Sequence, residues 1–347
     1  MRITVVGAGH GGQALAGYLA TMVDDVVLYN RTESVVETLN ERGNIEIQGC
    51  VSVVVHNVKF TSDIEYAIKD SEVIMVCIPS NNHEEIARKM APFLTKGQVV
   101  VLNPGRTMGA FLFSQIVNAY EKGVIVAETD TFLLTARKVE DGVSKIFSLK
   151  KQVYLACCRN EETEKVYQKL KNWLPMLKKA ESIAYTSMAN IGVIFHPLPA
   201  LLNIARIECE NDFLHYKEGI SPAVATLLEK LDKERVLLSR RLNHPVLSAK
   251  EWIERVYGSK GDNLYQAIQN TGAYDEVIAP REISTRYIFE DITTGIVPMY
   301  CMLRQLGEEC PIMELIINLA NELFDYDFVN KGRCDVTDFL DCVLNEV

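Results

Sequence analysis

No apolar run among the 347 residues is long enough to cross a bilayer without interruption. The most apolar stretch, residues 191–207, is broken by His196, Pro197, Pro199 and Asn203. No export leader is expected either, since Met1-Arg2-Ile3-Thr4-Val5-Val6 runs straight into glycines with no apolar core and no cleavage site. Positive charge is in deficit: 36 Lys and Arg stand against 46 Asp and Glu, a formal net charge of −10. That balance disfavours nucleic acid, whose phosphates want a basic face. It reads as solubility, and it means that an anionic substrate needs a local arginine or lysine. Paired cysteine motifs are absent, with nine cysteines, no CxxC, and Cys157 next to Cys158. An odd count without an export signal reads as reduced thiols in the cytosol. A cytoplasmic protein with no metal, no membrane and no nucleic-acid partner is expected.

What is present points to two domains, by length and by a 48% apolar content that allows a core in each. Residues 3–6 form a short β-branched run, followed by Gly7, Gly9 and Gly12 at GxGxxG spacing. A helical pattern over residues 13–22 and a second apolar run, residues 26–29, come next. A glycine turn between a strand and a helix is a dinucleotide loop with specific physics. Gly7 permits the turn, Gly9 lets backbone approach a pyrophosphate, Gly12 lets the helix lie close, and the helix N-terminus faces the anion. His10 and Gly11 complete that loop. After the second strand, NAD sites carry an acid for the ribose hydroxyls. Here Asn30-Arg31-Thr32 stands instead, and an arginine pairs with a 2′-phosphate. With no acid in view to oppose Arg31, NADP is the expected cofactor and NAD the alternative.

Strands at residues 72–78, 98–102, 123–127 and 153–157 alternate with helices at 83–93 and 161–173. This is a Rossmann doubly wound parallel sheet, whose ligands lie beyond the carboxyl ends of the strands. Those ends carry Pro79, Ser80, Asn103 and Gly105, which join the cofactor set. From about residue 182 the alternation stops, and amphipathic stretches at 223–241, 249–257, 295–306 and 312–323 follow. An α/β fold with an all-α C-terminal domain is expected, residues 1–180 binding NAD(P) and 181–347 binding substrate, with the cleft between domains as the default site.

Two constellations remain. Asn190-Ile191-Gly192-Val193-Ile194-Phe195-His196-Pro197 leads to Asn203, and Arg286-Tyr287-Ile288-Phe289-Glu290-Asp291 leads to Gly295. Alone, a histidine in an apolar stretch is usually a satisfied core residue, and adjacent acids beside an arginine are usually a solvated helix end. Together with the glycine turn, the Asn103-Pro104-Gly105-Arg106-Thr107 segment, and Glu128 with Arg137 downstream, they give the whole chain its character. It resembles the octopine/nopaline (opine) dehydrogenase family. The resemblance implies reductive condensation of an amino acid with a 2-oxo acid such as pyruvate, through an imine, using NAD(P)H. It implies His196 as acid/base and Asp291 as its partner. Arg286 would hold a substrate carboxylate, and Asn203 would orient the substrate or the histidine. The partners are then small molecules, and a homodimer is allowed. The alternatives are a reductase resembling ketopantoate reductase or glycerol-3-phosphate dehydrogenase, or a non-enzymatic NADP-binding sensor. The reductases place a lysine early in the helical domain, and residues 187–203 contain none. The sensor would not need His196 with Asp291.

Overall fold

The structure is a computed structural model describing residues 1–209 and 212–345. The chain divides into two compact units, Met1–Thr186 and Ser187–Val347. The first contains, in order, β1 (Arg2–Val6), α1 (His10–Ala20), β2 (Asp25–Tyr29), α2 (Glu33–Arg42), β3 (Ile45–Gly49), β4 (Val53–Val55), β5 (Val58–Thr61), α3 (Ile64–Ile68), β6 (Val73–Val76), α4 (His83–Met90), β7 (Val99–Leu102), α5 (Gly109–Val117), α6 (Ala119–Lys122), β8 (Ile125–Thr129), β9 (Leu134–Glu140), β10 (Val143–Leu149), β11 (Val153–Cys157), α7 (Thr163–Leu170) and β12 (Leu177–Lys179).

The main sheet has the order β12-β11-β8-β7-β6-β1-β2-β5. Its strands are parallel except that β11 runs against β8. The central strands β6 and β7 are apolar throughout, and β1 nearly so, because both faces are covered, and successive residues alternate between two cores. Ile3, Val5, Val26, Leu28, Val73, Met75, Val99 and Val101 enter one. Val6, Val27, Tyr29, Ile74, Val76, Val100 and Leu102 enter the other. β1 pairs with β2 on one side and β6 on the other, so the strand order reverses at β1. A Rossmann sheet binds its dinucleotide at that reversal.

A second sheet, β4-β3-β10-β9, was not expected from the sequence. Its Ile45, Ile47 and Ile146 share a core with Ala14, Leu15 and Leu19 of α1. β5 and β12 at the ends of the main sheet were also unanticipated. They are short, and their exposed residues interrupt any apolar run.

In the second unit, α8 (Ile183–Met188), which spans the division, is followed by α9 (Gly192–Phe195), α10 (Pro197–Leu202), α11 (Ile204–Glu208), α12 (Pro222–Arg241), α13 (Ala249–Tyr257), α14 (Leu264–Gln269), α15 (Arg286–Asp291), α16 (Val297–Gln305), α17 (Pro311–Phe324), α18 (Phe328–Lys331) and α19 (Thr337–Asn345). Among the described residues its only β structure is one bridge, Leu214 to Ile278. The helix ends follow local chemistry. Ser221 caps α12 ahead of Pro222, and Ser248 with Glu251 forms a capping box on α13, which stops at left-handed Gly258. The buried Arg235 guanidinium donates to Asp232 and to the carbonyls of Met188 and Leu247, while Asp232 accepts the Ala249 N–H. The buried charge pair is thus fully engaged, which is the condition for tolerating it. Within the second unit it ties Met188 to α12 and the start of α13.

Candidate active site

At the end of β1, Gly7 adopts φ +108°, and a Cβ at Gly12 would overlap the Gly7 carbonyl oxygen. The turn therefore admits only glycine at both places. Gly9 begins α1 with no side-chain cap and no acid in the first turn, and nothing lies within 4 Å of where a Cβ there would stand. An uncapped helix start facing open space fits the pyrophosphate of a dinucleotide. Neighbouring side chains brace the loop. Asn30 Oδ1 accepts the Ala8 N–H at 3.3 Å, and Gln13 Nε2 donates to the Ala8 carbonyl and to Asp141 at 2.8 Å each. His10 Nδ1 accepts the Lys138 N–H at 2.9 Å, so β9 clasps the first turn of α1. At Asp141, burial favours the neutral acid, but the bonds from Lys138 and Gln13 outweigh it and hold the carboxyl below its ordinary range.

The other expected cofactor residues stand at the same carboxyl ends. Pro79 is exposed and Ser80 buried after β6. Asn103 is buried after β7, accepting from Thr129 Oγ1 at 3.0 Å and donating to Cys77 Sγ at 3.8 Å. Burial pushes the Cys77 thiol up to about 12, against a smaller opposing pull from Asn103. Gly105 is bonded to the Thr129 carbonyl, and the loop continues through Arg106 and Met108, both left-handed. Arg31 lies exposed beyond β2. The expectation that no acid opposes it needs correction, because Glu85 of α4 stands 3.5 Å from its guanidinium. Fifty-four residues separate the two, and only the packing of α4 beside β2 brings them together.

In the helical unit, Pro197 has no N–H to continue the ladder of α9, so one helix ends and the next begins at His196. The imidazole projects from that break. Its Nδ1 lies 2.8 Å from Oδ2 of Asp291, whose side chain is 0% exposed while that of His196 is 14% exposed. Asp291 ends α15 and is followed by a π-helical turn, Ile292–Ile296. Such turns recur at functional sites. A Cβ at Gly295 would overlap Val193 of α9, so this glycine lets the turn behind Asp291 approach the helix that carries His196.

The α15 segment resolves into two i,i+4 pairs. Arg286 and Glu290 share one side, with Nη1 3.8 Å from Oε2, the arginine exposed and the glutamate buried. Tyr287 and Asp291 share the other, and both meet His196. The Tyr287 ring lies 4.1 Å from the imidazole at an interplanar angle of 4°. Behind it His215 Nε2 is 2.9 Å from the Phe195 carbonyl, and its ring meets Tyr287 edge-on at 5.0 Å. Burial lowers the His215 pKa to about 4, despite the Phe195 carbonyl and with a further push from His196, so His215 is neutral near pH 7. His215 escaped the sequence reading, and Tyr287 was read as part of the Arg286-Tyr287…Glu290-Asp291 element without a role of its own. The signal for such a role was its position one helical turn before Asp291. Asn203 donates from its amide nitrogen to the carbonyls of Pro199 and Gly219 at 2.9 and 2.8 Å, which commits both amide hydrogens to the backbone.

These features have counterparts in known proteins. Residues 179–324 match the model of the NAD/NADP octopine/nopaline dehydrogenase α-helical domain. Residues 2–135 match the NAD-dependent glycerol-3-phosphate dehydrogenase N-terminus. Opine dehydrogenase of Arthrobacter sp. (strain 1C) is 34% identical over 333 residues, 95% of this chain and 92% of that protein. Vitopine synthase of Allorhizobium ampelinum (strain ATCC BAA-846 / DSM 112012 / S4) is 24% identical, over 96% and 93%. Octopine dehydrogenase solved with NADH and agmatine shares the fold at TM-score 0.84 and 18% identity, covering 100% of this chain and 98% of that one. By identity sustained along nearly its whole length, the chain belongs to the opine dehydrogenase family, nicotinamide-dependent oxidoreductases acting on CH–NH bonds.

Proposed function

We propose that this enzyme joins the amine of an amino acid to a 2-oxo acid such as pyruvate, with His196 as acid/base, Asp291 as its partner and NADPH as the preferred reductant. The observation that carries the reading is the 2.8 Å contact between His196 Nδ1 and the fully buried Asp291. A carboxylate at Nδ1 keeps that nitrogen protonated and leaves Nε2 as the one that exchanges a proton. Neutral Nε2 takes a proton from the substrate ammonium, freeing the nitrogen lone pair to attack the carbonyl carbon of the 2-oxo acid. The imidazolium, stabilised by Asp291, returns a proton to the carbinolamine hydroxyl, which leaves as water and gives the protonated imine. The hydride for the imine carbon is what NADPH would supply when bound. Arg286, exposed on α15, holds a substrate carboxylate by a two-pronged contact. Gly7, Gly9, Gly12 and the uncapped start of α1 would hold the pyrophosphate, and Arg31 would pair with the 2′-phosphate. The nine cysteines, an odd count with no CxxC, suit the cytosol as the place of reaction.

The glycerol-3-phosphate dehydrogenase match ends at residue 135 and so speaks for the dinucleotide half. The deciding experiment follows loss of NADPH absorbance with pyruvate plus a panel of amino acids, against pyruvate alone and ketopantoate alone. Turnover should require both an amino acid and the 2-oxo acid. His196→Ala should cut kcat by roughly 10²–10⁴-fold, the usual worth of a general acid/base, with the NADPH KM nearly unchanged. Equal turnover without an amino acid, or an unimpaired His196→Ala, would reject the reading.

A further inference from the structure

We infer that Tyr287 is a positioning residue for the acid/base step, its ring fixing the plane of the His196 imidazole as Asp291 fixes the direction of the ring within that plane. The inference rests on the role proposed for His196. A hydrogen bond at Nδ1 restrains rotation in the plane of the ring but resists tilting about the Nδ1–Oδ2 line only weakly. A tilt about that line swings Nε2 out of register with the substrate. Proton transfer needs donor and acceptor within hydrogen-bond reach and alignment, so the tilt has a direct kinetic cost.

Tyr287 supplies the missing restraint. Its ring centroid is 4.1 Å from that of the imidazole and the two planes lie 4° apart, a stacked contact. The stack is built rather than incidental. Tyr287 sits one helical turn before Asp291 on α15, so both restraints come from one rigid element. Behind it the buried His215 ring meets Tyr287 edge-on at 5.0 Å and 63°. His215 bonds through Nε2 to the carbonyl of Phe195, the residue directly before His196. The restraint therefore closes on itself: from His196 to Tyr287, to His215, and back to the backbone that bears His196. An aromatic face also attracts a cation, so the stack tightens when the imidazole carries the proton it must deliver.

The test uses Tyr287→Leu, which removes the flat face, and Tyr287→Phe, which keeps it and removes only the hydroxyl. Both are compared with wild type, Asp291→Asn and the Leu/Asn double variant in the full chain. Tyr287→Leu should lower kcat by about tenfold, the worth of a stacked cation–ring contact, with the KM values for amino acid and 2-oxo acid held within about twofold. Its solvent deuterium isotope effect on kcat should rise, because a misaligned donor makes proton transfer more rate-limiting. Tyr287→Phe should restore kcat and the isotope effect to wild-type values. The losses in Tyr287→Leu and Asp291→Asn should combine to less than their product, since both act through one imidazole. A Tyr287→Leu kcat within twofold of wild type overturns the inference. So does an unchanged isotope effect, as does a Tyr287→Phe variant no better than Leu. His196→Ala, run alongside, separates the two ideas. If it turns over normally, the acid/base reading falls. If it is inactive while Tyr287→Leu is not, only the positioning role falls.

Discussion

Two histidines of the helical unit are treated in opposite ways by their surroundings. His196 is given a carboxylate and a partly open position, whereas His215 is buried and given a backbone carbonyl. A base whose folded pKa lies near 4 against an ordinary 6.5 binds fewer protons folded than unfolded between those values. Its contribution to stability is therefore complete above about pH 6.5 and is lost as pH falls toward 4. Lowering the pH from 7 to 5 should cost about 2 kcal/mol through this residue. His215→Gln keeps an N–H for the Phe195 carbonyl and cannot titrate, so its thermal midpoint should fall less than that of wild type over the same interval. Parallel falls in the two proteins would show that His215 titrates as an ordinary histidine. At this scale the sequence spoke through motif rather than type. His-Pro and Arg-Tyr…Glu-Asp marked the pair that the fold brings into contact, while His215 carried no local signal and Tyr287 was legible only as a motif residue, because its part in the site is a ring geometry that exists only after folding.

The elements that present this pair are short and irregular. α9 has four residues, α10 starts on a proline, and α15 passes into a π turn. A sequence read for amphipathic helices favours the long α12, α13 and α17, and the expected helix over 295–306 in fact begins as that π turn. Likewise β3, β9 and β10 were hidden because one face of their sheet is solvated, and charged residues such as Arg137, Glu140 and Lys145 interrupt the apolar signal. The fully buried strands of the main sheet were legible for the converse reason. Gly295 is the hinge of the irregular set, holding the π turn against Val193. Gly295→Ala should destabilise the protein by about 1–3 kcal/mol, the usual cost of overpacking a close approach. It should lower kcat as well, because the strain falls between the helix bearing His196 and the turn behind Asp291. Gly9→Ala, facing open space, is the control and should leave thermal stability within about 0.5 kcal/mol. Equal stability of Gly295→Ala and wild type would count against the close approach.

For the molecule as a whole, division into a parallel-sheet unit and a helical unit could be read from the change of hydrophobic period near residue 182, because period reports burial geometry directly. Cofactor preference could be read only in part, since Arg31 is visible in the sequence and Glu85 beside it is not. The two make opposite demands. On the proposed reading Arg31 would favour a 2′-phosphate, and Glu85 would repel one while accepting from a free 2′-hydroxyl. Both are about two-thirds exposed at 3.5 Å, a geometry worth little as an ion pair, so a phosphate can displace Glu85 from Arg31 at small cost. Cofactor binding should therefore stabilise the sheet unit unequally for the two nicotinamides. At about 100 times its Kd, NADPH should add about 2.7 kcal/mol to the protection of the slowest amides of β1, β6 and β7 in hydrogen exchange. NADH at the same concentration should add less. Arg31→Ala should erase or reverse that difference, because Glu85 then remains alone, and Glu85→Gln should widen it. Equal protection by both nicotinamides in the unaltered protein, or a Glu85→Gln variant that binds NADPH more weakly, would mean that Arg31 is a surface residue and that the 2′ position is read elsewhere.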